Sequence, residues 1–156
     1  MQNTFNTKFV KVTTSDFKHN DFNLKTAIWE NEQVYKKTLQ SCVNLSGPLP
    51  IVLAEFESLI KEGYSFNDKI PCSSIGSTSF YLRKPESIQK EDLALIKAEV
   101  EKQYEQAVFM NWEAHKARLI DEALQAEKNK ALEAELTKQQ KLRERIIKEV
   151  EAQLEG

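Results

Sequence analysis

Glu86-Ser87-Ile88-Gln89-Lys90-Glu91-Asp92-Leu93-Ala94-Leu95-Ile96 opens the interval that decides how this chain folds, because from Glu86 through Glu155 there is neither a glycine nor a proline. Ala, Glu, Lys, Gln and Leu dominate it, and these have the strongest intrinsic helix preference. Pro85 stands just before it and Ser87 is placed as an N-cap, so the pattern predicts a long helix starting there. One straight helix to Glu155 would span about 100 Å at about 1.5 Å per residue. Such a length needs a partner chain, a fold back on itself, or many side-chain pairs along a solvated face.

The apolar pattern within the interval is uneven. Leu93, Ile96, Val100, Gln103, Ala107, Met110, Ala114 and Ala117 keep a 3-4 alternation that breaks at Asp121. Trp112, Leu119, Ile120, Ala123 and Leu124 make a second stripe on another face, and beyond Gln125 the apolar positions thin to Leu132, Leu136, Leu142, Ile146, Ile147, Val150 and Leu154. Residues 107–112 are apolar almost all round, which predicts burial there against the first part of the chain and against a second helix. Three geometries stay open for the tail: a continuous helix that pairs, a hairpin bent near Asn129, or a segment ordered only on a partner. A continuous or once-bent helix that pairs is the favoured one.

Upstream the chain reads differently. Of the fourteen aromatic residues only Tyr104, Phe109 and Trp112 lie beyond residue 86, so the compact core belongs mainly to the first part. Residues 7–14 are β-branched and aromatic, as in a strand, and residues 15–21 carry turn chemistry. Residues 24–30 and 33–43 alternate loosely and read as a hairpin, although Ile28, Val34, Tyr35 and Leu39 can also share a helical face. Gly47-Pro48-Leu49-Pro50 breaks the chain; a helix follows from Pro50, with Val52, Leu53, Phe56, Leu59 and Ile60 at helical spacing and Gly63 as its C′ residue. Residues 65–79 are loop-like and Phe80, Tyr81 and Leu82 form a short strand stopped by Pro85. The expected fold is α+β: a small antiparallel sheet with one covering helix over residues 1–86, then a long charged helical extension over residues 87–156.

At 156 residues and 18.0 kDa, this is one domain or one small domain with an appendage, too small for a two-domain enzyme with a large cleft. Its 22 basic and 24 acidic side chains give a net charge of −2, neither a nucleic-acid footprint nor an acidic mimic. The polar start Met1-Gln2-Asn3-Thr4 has no apolar leader pattern and no stretch approaches a membrane span, so a cytoplasmic protein is expected, its two cysteines as thiols.

Chemistry-bearing motifs are sparse. Asp16, His19 and Asp21 read as a solvated turn. Cys42, Cys72, His19 and His115 lack the paired spacing of a zinc site. Cys72 sits in a small-residue loop, but no sequence feature places a base such as His19 beside it, and the loop has no Gly-Lys-Ser/Thr phosphate motif. His115 has no second histidine at the spacing of a helical metal site. No enzyme activity, cofactor or metal is therefore expected.

The leading expectation is a non-catalytic protein-protein interaction protein, an adaptor, assembly factor or inhibitor of a larger complex, forming a homodimer through its C-terminal helix or docking on another protein. Its contacts are assigned to Phe109, Met110 and Trp112, and its self-association to Ile146, Val150 and Leu154. The alternative is a nucleic-acid-binding accessory protein, with Lys8, Lys11, Lys18, Trp29, Arg83 and Lys84 on a sheet face that stacks bases and meets phosphates.

Overall fold

The computed structural model describes residues 5–73 and 77–156. The polar start of the chain and the centre of the loop after Cys72, at Ser74-Ile75-Gly76, lie outside the described residues. Six elements follow one another: α1 (Asp21–Lys37), β1 (Cys42–Gly47), α2 (Leu49–Lys61), β2 (Ser65–Phe66), β3 (Thr78–Arg83) and α3 (Glu86–Glu155). The strands form one antiparallel sheet in the order β1-β3-β2, with Leu45 opposite Phe80 and Val43 opposite Leu82. The fold is α+β with a long C-terminal helix.

Two of the early expectations are corrected. Residues 24–43 are not a hairpin: they are α1, a single 3-10 turn at Leu39–Ser41, and the start of β1. Asn20 caps α1, its side-chain oxygen accepting from the Phe22 and Asn23 N–H groups, and Asp21 sits in the first turn where the helix dipole favours a carboxylate. Burial decides the period. Tyr35 is fully buried and Trp29 is 59% exposed, although the alternation put both on one side. Leu24, Ala27, Ile28 and Tyr35, at helical spacing, face the core.

Residues 7–14 are not a strand either. They make one 3-10 turn, Thr7–Phe9, followed by extended chain outside the sheet. Asn31 of α1 takes the place of a neighbouring strand there. Its side-chain oxygen accepts from the Lys11 N–H at 3.2 Å, and its amide donates to the Lys11 carbonyl at 3.1 Å.

The covering helix matches its reading. Pro50 lies in the first turn of α2 and Gly63, at φ +92°, follows the Glu62 cap. The Gly63 N–H donates to the Ile60 carbonyl and that of Tyr64 to the Leu59 carbonyl, a double closure that requires a left-handed residue at position 63. α3 begins at Glu86, one residue before Ser87, so Ser87 lies within the first turn instead of capping it. Gln89 reaches back to the Lys84 carbonyl.

Contacts divide the chain into two units, Met1–Met110 and Asn111–Gly156, with the division inside α3. The first unit holds two small cores. Phe5, Val10, Tyr35, Ile96 and Val100 form one; Leu45, Val52, Tyr64 and Leu82 form the other, with Phe56, Phe80 and Ile88 packed against it. The second unit is helix, unbroken at Asn129, and almost every residue in it is exposed.

Candidate functional site

Two of the buried polar groups of the first unit, Asp92 and Lys84, bond each other. Asp92, on the inward face of α3, accepts from the Phe5 N–H at 2.7 Å, the Tyr35 hydroxyl at 2.6 Å and the Lys84 ammonium at 2.6 Å. Three chain segments far apart in sequence are thereby tied to one helix. Burial, with the Asp92 carboxylate beside it, pushes the Tyr35 hydroxyl well above the usual phenol range. Both carboxylate oxygens of Asp92 are therefore engaged by donors of the first unit itself.

A second anchor lies at the start of α1. Asp16 accepts from the Asn23 amide at 2.7 Å and from the Tyr104 hydroxyl at 2.9 Å. These bonds, Asn23 first, hold the Asp16 carboxyl below its ordinary value, while burial and then Asp16 raise the Tyr104 hydroxyl. His19 bonds Asp21 at 2.9 Å and packs edge-on to Tyr104. Sequence reasoning missed Asp92 and Tyr104 as anchors. The available signal was their place on the Asp92, Ile96, Val100, Tyr104 stripe, where a carboxylate among apolar residues has to be paired.

The residues expected to contact nucleic acid do not share a sheet face. Lys8 lies on the 3-10 turn, Lys11 and Lys18 on irregular chain, Trp29 on α1, and Arg83 at the end of β3. Lys84 is buried in its pair with Asp92 and has no route to a phosphate. Cys42 is half-buried and accepts from the Asn67 amide; Cys72 is exposed. Among the described residues no three His, Cys, Asp or Glu side chains gather as a metal site, and no helix is long and apolar enough to cross a membrane.

Residues 107–112 were expected to be buried on two sides, and that is corrected. Phe109 is 60% exposed, Met110 69% and Trp112 43%, with the Lys116 ammonium 4.8 Å from the Trp112 ring centre. Other apolar faces of the first unit are open as well. Leu49, Leu53, Phe56 and Ile60 run at 4-3-4 spacing along α2, with Phe56 alone half-buried. Phe22 and Trp29, two turns apart on α1, are also exposed, and Trp29 borders an open groove of about 360 Å³ with Leu24 and Ile28.

The second unit exposes a long series of apolar side chains along one helix. Ten large apolar side chains from Leu119 to Leu154 are each between 45% and 82% exposed. Ile146, Val150 and Leu154 follow one another at four-residue spacing and so share a side of the helix. A longer seam contains the first two. Asn129, Leu132, Leu136, Gln139, Arg143, Ile146, Val150 and Gln153 alternate by three and four residues, flanked by Leu142, Ile147 and Leu154. No protein-family model, curated protein or solved structure matches this chain.

Proposed function

We propose that the chain is a non-catalytic interaction protein, an adaptor, assembly factor or inhibitor of a larger complex, whose α+β head presents a binding surface and whose C-terminal helix self-associates. The observation that carries this reading is the exposed apolar seam of the second unit. An isolated helix draws little stability from propensity alone, and ion pairs such as Arg145–Glu149 at 3.0 Å each add only about 0.2–0.5 kcal/mol. Covering the seam is what such a helix lacks.

The gain from pairing is modest and of the same order as its cost, so any dimer is a weak, concentration-dependent one. Full burial of a leucine or isoleucine side chain contributes roughly 1.5–3 kcal/mol, so about half-burying Leu132, Leu136, Ile146 and Val150 in each of two copies yields about 6–12 kcal/mol. Association costs on the order of 4–15 kcal/mol. Phe109, Met110 and Trp112 serve in this reading as further contact residues, because large exposed aromatic and thioether groups are effective anchors.

Replacing Ile146 and Val150 by Asp leaves the head folded by circular dichroism and lowers the mass in light scattering to that of one chain. An unchanged mass would remove the tail as the assembly element. Titration of labelled single-stranded and duplex DNA at two salt concentrations tests the nucleic-acid alternative: this reading predicts no binding at low salt, where phosphate contacts are strongest.

A further inference from the structure

The seam of the second unit is self-complementary in one direction. We infer that two copies of the chain pair through it antiparallel, centred on Lys141; this rests on the self-association proposed above and specifies its geometry.

In that arrangement Leu136 of each copy faces Ile146 of the other, and Leu132 faces Val150. The polar members also find polar partners, Arg143 opposite Gln139 and Asn129 opposite Gln153. No apolar layer is spent on a polar group. Leu142 meets its own equivalent beside the seam.

Arg143 decides the direction. It is the single charged residue among the eight seam positions. Parallel, in-register pairing would set its guanidinium against that of the second copy in one partly desolvated layer, where like charges repel with little screening. Antiparallel pairing separates them and gives each guanidinium an amide carbonyl. The Gln139 amide nitrogen already donates to Glu135 of its own chain at 3.4 Å, which leaves its oxygen as the acceptor.

The rim charges oppose this only weakly. Antiparallel pairing brings Glu135 of one copy near Glu149 of the other. Both lie at the solvent edge, and Glu149 is already bonded to Arg145 of its own chain. Parallel pairing would set Lys128 near Glu133, but exposed pairs of that kind are worth little.

The test uses the full chain with Cys42→Ser and Cys72→Ser, checked by circular dichroism against the native protein. Leu136→Cys and Ile146→Cys are introduced in separate preparations, which are mixed in equal amounts and treated with a short bis-maleimide. The expected result is a 136–146 cross-linked dimer several-fold in excess of either self-linked product. Self-linked products predominating, or a dimer that links at neither position, would overturn the antiparallel pairing. A mass of one chain in light scattering before cross-linking would overturn the self-association itself and the pairing with it.

Discussion

Asp92 shows how much a small head can depend on one side chain. Its carboxylate neutralises a buried ammonium and receives two further hydrogen bonds, so it is stabilising only while all partners are present. Asp92→Ala strands the Lys84 ammonium and is expected to cost about 3–5 kcal/mol, read as a lower denaturation midpoint. Asp16 acts at low pH. Its folded-state pKa lies below the unfolded value, so its contribution is present above the ordinary carboxylate range and is lost as the pH falls through the folded pKa. The stability gap between the native chain and Asp16→Asn should therefore narrow on acidification; a gap independent of pH from neutrality to pH 2 would contradict this assignment.

Element boundaries follow from a few local signals, some legible in the sequence and some not. α2 was legible because prolines open it and a glycine closes it. Gly63→Ala forces a Cβ into a left-handed residue and should destabilise the fold by about 1 kcal/mol in urea titration. α1 was misread because the odd-numbered alternation through Ala27, Trp29, Tyr35 and Leu39 imitates a strand, while the signal that fixes the helix is the Asn20 cap. The segment before it lost its strand to a side chain: Asn31 supplies both hydrogen bonds a neighbouring strand would have given Lys11. No reading confined to residues 7–14 contains Asn31. Of the proposed contact residues, Ile146 and Val150 were visible as apolar positions, whereas the proposed matching of Gln139 with Arg143 emerges only when the helix is read against itself.

For the whole molecule, the central division is between side chains that the head consumes and side chains left exposed. On α3, Asp92, Ile96, Val100 and Tyr104 are used up in the head, and from Asn111 onward the helix has no tertiary core of its own. If the helix gains stability by the self-association proposed above, helicity of the second unit should rise with protein concentration along with mass. Sedimentation equilibrium of the intact chain over a wide concentration range is the most direct measurement. The average mass should climb from 18.0 kDa toward twice that value, with the Ile146→Asp, Val150→Asp variant held at one chain. An intact chain that stays at 18.0 kDa throughout would contradict the proposed self-association.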